Sequence, residues 1–216
     1  MDWSKHFTIC GEDGSMAPNI LDIGCGFGGL TVALAELLPS NQYRILGLEI
    51  RAKVTEYVRL RIAALRKEAA NEKYGNCSVM RSNTMKYMPN LFHKASIEKL
   101  FFCFPDPNFK RKNHQRRIIS ERLLTEYAYF LKTKGRLYAI TDVEELHEWH
   151  LSKCRAHPLF RELDEEELKA DVCVEAMKKE TEEGKKVERA GAKKYFAVFE
   201  KVELAPLINS SNFWST

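Results

Sequence analysis

The stretch Asn19-Ile20-Leu21-Asp22-Ile23-Gly24-Cys25-Gly26-Phe27-Gly28-Gly29 decides the fold. A short apolar run suited to a buried strand enters a turn holding four glycines, and a helical pattern, Leu30–Leu38, follows before Pro39. Strand, glycine turn and helix form the opening unit of an α/β layer. Strand-like runs recur at Tyr43–Ile50, Cys77–Arg81, Ile97–Phe104, Gly135–Thr141 and Tyr195–Val202. Helical spacing fills the gaps: Ala52 to Lys73 with Val54, Val58, Ile62 and Leu65, then Ser120–Lys132, then Val143–His157, stopped by Pro158. The alternation predicts an α/β fold with a mostly parallel sheet. The last strand follows a charged, glycine-containing stretch, Lys178–Lys194, rather than a clean helix, and is expected to join in the antiparallel sense. Thr8–Pro18 and the tail Ala205–Thr216 read as irregular.

With 216 residues, 44% hydrophobic and 30% charged, the chain is a single domain able to bury a core, neither disordered nor membranous. The longest apolar run, Leu100–Phe104, falls far short of the ~20 residues of a bilayer span. Met1-Asp2-Trp3-Ser4 carries no basic region followed by an apolar one, so secretion is not expected. The cysteines at 10, 25, 77, 103, 154 and 173 form no C-x-x-C pair, which disfavours a disulfide framework or zinc finger and favours a reducing intracellular compartment.

Two ligands suit the glycine turn. Gly24-x-Gly26-x-x-Gly29 matches the dinucleotide fingerprint, with Glu49 placed 20 residues beyond Gly29 to hold a ribose. The same residues read as D-x-G-x-G-x-G, the S-adenosylmethionine motif, in which Glu49 again holds ribose hydroxyls. Electrostatics favours the second. A dinucleotide sets its pyrophosphate at this turn, where Asp22 repels it. The methyl donor brings an ammonium and a sulfonium, which a carboxylate attracts.

Charge is segregated along the chain: −4 over residues 1–43, +12 over 44–134 and −4 over 135–216. The basic third suits a polyanion. Within it Lys110, Arg111, Lys112, Arg116 and Arg117, with Phe109 and His114 interleaved, offer phosphate contacts and base stacking. Three residues upstream of Phe109, Asp106 lies between Pro105 and Pro107 at the carboxyl end of the fourth strand. The flanking prolines stiffen its backbone, as suits a carboxylate held in place. Glu144, His147 and His150 share a helical face but have no second motif to complete a metal site, so no metal is expected. Cys25 has no base near it in sequence and reads as a small filler.

Taken together the chain resembles the tRNA (guanine(46)-N7)-methyltransferase family, its eukaryotic branch, from about Asn19 to Val202. The motifs are Asp22–Gly29, Gly47–Arg51, Arg81–Asn83, Phe102–Pro107 with Phe109–Arg111, Arg117–Ser120, Ile140–Asp142, His157–Phe160 and Thr181–Lys186. The resemblance implies the class I S-adenosylmethionine-dependent, Rossmann-like methyltransferase fold: a mostly parallel seven-stranded sheet with an antiparallel final hairpin and helices on both faces. The match delimits a domain at 19–203; the segment at 1–18 is expected to be irregular and the tail at 204–216 flexible from their composition. Gly24, Gly26, Glu49, Arg51, Asn83, Thr84, Cys103, Thr181 and Glu183 would bind S-adenosyl-L-methionine. Asp106 would be the catalytic acid, and Lys110, Arg111, Lys112, Arg116 and Arg117 would bind tRNA. A WD-repeat β-propeller subunit would be the partner, and the nucleus, with the cytoplasm second, the compartment. An NAD-dependent oxidoreductase and a catalytically inactive RNA-binding module stand as alternatives.

Overall fold

Five parallel strands whose residues are mostly apolar need cover on both faces, and the sheet is built to receive it. The computed structural model describes residues 1–203, so the expected tail at 204–216 lies outside the described residues. Strands β1 (Ile20–Ile23), β2 (Ile45–Glu49), β3 (Cys77–Arg81), β4 (Ile97–Cys103), β5 (Leu131–Thr141), β6 (Phe160–Glu162) and β7 (Tyr195–Lys201) form one sheet in the order β3-β2-β1-β4-β5-β7-β6. β1 to β5 run parallel, and β7 lies antiparallel between β5 and β6. Every residue of β1 and β2 is buried. One face packs Leu21, Leu46, Leu48, Phe102 and Leu124; the other packs Ile20, Leu34, Ile45, Val58 and Phe101. The strand order reverses between β1 and β4, which opens a crevice at their carboxyl ends.

The connecting helices are α1 (Gly29–Leu37), α2 (Ala52–Glu68), α3 (Thr84–Leu91), α4 (Glu121–Phe130), α5 (Glu144–Ala156), α6 (Glu165–Ala170), α7 (Val172–Lys179) and α8 (Glu182–Arg189). Several bounds differ from the sequence expectation for physical reasons. α2 stops at Glu68 rather than Lys73, because Ala70 and Asn71 take left-handed φ of 50° and 64° and turn the chain back. β5 begins at Leu131, directly after α4, and its register against β4 slips between Ile97 and Lys99. The stretch 178–194 does hold a helix, α8, capped by the Thr181 hydroxyl on the Gly184 N–H. The N-terminal segment has a short 3-10 turn at Trp3–Lys5, with Trp3 stacked on Phe92 and Phe7 sunk in the core. Among the described residues no helix is long and apolar enough to cross a membrane.

Candidate active site

The crevice between β1 and β4 holds a cavity of about 230 Å3. Its walls are the turn after β1 (Asp22, Gly24, Cys25, Gly26, Phe27), the end of β4 (Cys103, Phe104), Arg51 after β2, and the entrance to α8 (Thr181, Glu182, Glu183, Lys186). Larger hollows lie at the amino edge of the sheet, around Arg44, and between α3 and α4, away from the glycine turn. Gly24 and Gly26 have φ of 72° and 55°, which side chains other than glycine rarely adopt. A Cβ on either would meet no atom within 4 Å, so the space in front of the turn is open. Open space before a glycine turn at the switch point is where a ligand lies against the backbone.

The electrostatics of this space are acidic. Asp22 is almost fully buried and receives a single side-chain hydrogen bond, from the Thr31 hydroxyl at 2.7 Å. Burial pushes its carboxyl up to about 7, the Thr31 bond opposes that, and the charge of Glu182 adds to it. Glu49, at the end of β2, is also buried. Its own burial acts to raise its pKa, but Arg51 outweighs that and holds it below the usual carboxylate range. Arg51 does so through its backbone N–H (2.9 Å), Nε (3.1 Å) and Nη2 (2.9 Å). The thiols of Cys25 and Cys103 are pushed well up by burial and by the Asp22 charge, so neither is a thiolate nucleophile at neutral pH. Two open glycines, a poorly solvated carboxyl and a second, ionised one suit a ligand carrying cationic groups and ribose hydroxyls. S-adenosyl-L-methionine fits that donor set; a pyrophosphate does not.

The residues expected at the cofactor site are partly gathered here. Gly24, Gly26, Arg51, Cys103, Thr181 and Glu183 line the cavity, and Glu49 is joined to it through Arg51. Asn83 and Thr84 lie one step further out, where β3 ends and α3 begins; the Ser82 N–H donates to the Glu49 carbonyl at 3.0 Å. Glu183 forms an ion pair with Lys186 at 2.9 Å. Sequence reasoning missed Phe27, Phe104 and above all Glu182, which nothing in the pattern Thr181-Glu182-Glu183 distinguished from its neighbour.

Asp106 stands outside this cavity. It is exposed, on the segment that leaves β4, with its Oδ1 accepting the Asn108 N–H at 3.0 Å. Asn108 Nδ2 returns a bond to the Asp106 carbonyl, and Phe104 and Asn108 take left-handed φ of 50° and 47°. The loop is thus folded on itself, and Asp106 faces solvent beside the cavity rather than within it.

Lys110, Arg111, Lys112 and Arg116 are exposed on and before a 3-10 turn at Arg111–Arg116, and none has a carboxylate partner among the described residues. Arg117 is a correction to the sequence reading. Its side chain is 1% exposed and cannot reach a phosphate. Its Nε donates to the Pro107 carbonyl at 2.9 Å, Nη2 donates to Glu145 at 2.7 Å, and its guanidinium lies over the Trp149 ring at 4.7 Å. It ties the Asp106 loop to α5. On α5, His150 is buried with both ring nitrogens unpartnered, and His147 leans on Tyr195. Among the described residues no group of three or more His, Cys, Asp or Glu side chains could hold a metal.

A sheet of this order with a glycine-lined cavity at its switch point defines the class I methyltransferase architecture. Residues 16–197 match the family model described as "Putative methyltransferase". Solved structures agree on the fold: an aminoglycoside resistance methyltransferase aligns with a TM-score of 0.52 at 17% identity, covering 85% of this chain and 86% of that one. A SAM-dependent O-methyltransferase from Thermotoga maritima aligns with a TM-score of 0.55 at 13% identity, covering 88% of this chain and 62% of that one. Sequence relatives are closer. A tRNA (guanine-N(7)-)-methyltransferase of Schizosaccharomyces pombe is 48% identical, over 94% of this chain and 75% of that protein. The protein of the same name from Arabidopsis thaliana is 50% identical, over 94% and 81%. The chain belongs to the tRNA (guanine-N7)-methyltransferase family.

Proposed function

We propose that this chain transfers a methyl group from S-adenosyl-L-methionine to N7 of a guanine, position 46, in the variable loop of tRNA. The observation that carries the reading is the buried Asp22 carboxyl beside two open, left-handed glycines at the switch point, in a chain whose 48–50% identical relatives are named tRNA (guanine-N(7)-)-methyltransferases. When bound, the donor supplies a methyl group on a cationic sulfur. Guanine N7 carries a lone pair and no proton, so no general base is needed. The chain's task is to hold and align.

Asp22 and Glu49 offer carboxylates to the donor's cationic and hydroxyl groups. Asp106, exposed beside the cavity, accepts hydrogen bonds from guanine N1–H and its exocyclic amine. That fixes the base and stabilises the positive charge that develops on the purine. Adenine, whose N1 is an acceptor, would leave the carboxylate unpaired. N7 lies on the deep groove of an A-form duplex, which side chains read poorly, so a loop or distorted tertiary site is the fitting substrate. Lys110, Arg111, Lys112 and Arg116 grip the flanking phosphates. By the family resemblance, a WD-repeat β-propeller subunit would anchor the tRNA, and the pair would work in the nucleus first and the cytoplasm second.

The test is labelled-methyl transfer to unmodified tRNA, with and without a propeller subunit, followed by chemical cleavage at 7-methylguanosine. Label mapped to the variable loop supports the reading. tRNA binding with no transfer under either condition would identify an inert RNA-binding module instead.

A further inference from the structure

Gly29 differs from the other glycines of the turn. Its φ is not left-handed, yet a Cβ there would collide with the carbonyl oxygen of Glu180 and crowd the Glu182 carboxylate. The glycine is therefore needed because residues 180–182 lie directly on the first turn of α1. Two polar contacts fasten them. Glu182 Oε2 accepts the Gly29 N–H at 3.3 Å, and Oε1 accepts Arg61 Nη1 at 2.9 Å. The same nitrogen of Arg61, on α2, donates to the Phe27 carbonyl at 2.8 Å. One guanidinium thus joins three elements far apart in sequence: the glycine turn, α2 and the entrance to α8.

Surface ion pairs contribute little as a rule. This one is about two-thirds buried on both sides and is bonded to backbone atoms of the turn. Together with Glu182 itself, Thr181, Glu183 and Lys186 form the wall of the cavity that Asp22 and Gly24 also line. Ser/Thr capping of α8 by Thr181 fixes that wall's own start, so the Glu182 contacts decide where the whole helix entrance sits.

We infer that Arg61 and Glu182 are positioning residues: their pair latches the start of α8 over the cavity and sets how long the methyl donor stays bound. The inference rests on the methyl-donor reading above. Opening the latch leaves the cavity lacking one wall, so the donor dissociates faster while tRNA binding, carried by the separate strip at Lys110–Arg116, is unaffected.

The test uses the full chain with S-adenosylhomocysteine as probe. Arg61→Gln and Glu182→Gln should each weaken its binding about tenfold, mostly through faster dissociation. Amide exchange at Gly184 and Lys185 in the ligand-free protein should accelerate, and tRNA affinity should stay within about twofold. Arg61→Lys, whose ammonium can donate to both oxygens, should restore most of the affinity. Gly29→Ala gives an independent arm. The added methyl would meet the Glu180 carbonyl oxygen, so this change should weaken ligand binding by displacing Glu180. Ligand affinity and amide exchange unchanged in Arg61→Gln and Gly29→Ala would overturn the latch. Failure of the wild-type chain to bind the probe would instead sink the methyl-donor reading, and the ligand-free exchange data would still decide the latch.

Discussion

Arg117→Ala separates a buried tie from a phosphate grip, and the structure sets its size. The substitution takes a charged donor from the half-buried Pro107 carbonyl, at about 1–3 kcal/mol for such a bond. It removes a desolvated cation–π contact with Trp149, about 1–2 kcal/mol. Loss of the Glu145 pair adds little, because that carboxylate is exposed to solvent. Together the two losses come to about 2–5 kcal/mol, a large fraction of the ~5–15 kcal/mol of an ordinary domain. Urea unfolding followed by fluorescence reads it as a lower midpoint. Because Pro107 adjoins Asp106, turnover should also fall, by up to about a hundredfold for an ångström of misplacement, with tRNA affinity nearly unchanged. Arg116→Ala is the contrast: weaker tRNA binding and an unaltered melt. If Arg117→Ala kept full stability and weakened tRNA binding as Arg116→Ala does, the buried-tie reasoning would be wrong.

Other outcomes follow from the same site. Asp106→Asn should lower turnover by about 10²–10³-fold, the scale of one lost transition-state partner. Binding of S-adenosylhomocysteine should not change, since Asp106 does not line the cavity; equal losses in both would refute its assignment to the base. With four exposed cations rather than five in the strip, raising salt from 50 to 200 mM should weaken tRNA binding by roughly 50–150-fold through that strip, and neutralising all four should remove that dependence. Asp22 predicts a pH effect. Its folded pKa, about 7, lies above the ordinary 3.8, so the ligand-free protein loses stability as pH rises from about 4 to 7. A cationic donor favours the ionised form, so its affinity should rise about tenfold from pH 6 to pH 8. Asp22→Asn should flatten that slope, and a flat wild-type profile would count against any contact between Asp22 and the donor.

What the sequence carried, and what it did not, has physical reasons. β1 and the turn at Gly24–Gly29 were legible because an apolar run ending in glycines has few alternative uses, and β3 because its more buried residues, Cys77 and Val79, alternate with less buried ones. The antiparallel β7 was anticipated from its connection, although the segment before it proved helical. α8 hid because its only buried residues are Gly184 and Val187, too few to show a period, and α3 hid because Pro89 sits inside it. The three residues of β6 lie below the length a pattern can reveal. In the site, Arg117 looked like its basic neighbours, since sequence gives charge but not the aromatic ring of Trp149 that receives it. The exposed setting of Asp106 was equally hidden, because prolines announce stiffness and not direction.

The most direct measurement is calorimetric titration of the ligand-free chain at pH 8 with S-adenosylhomocysteine and, separately, with NAD. Saturable one-to-one binding of the first, lost in Glu49→Ala, with no heat from the second, is the result expected of an acid-lined cavity that takes a methyl donor. Binding of NAD with no binding of S-adenosylhomocysteine would contradict it.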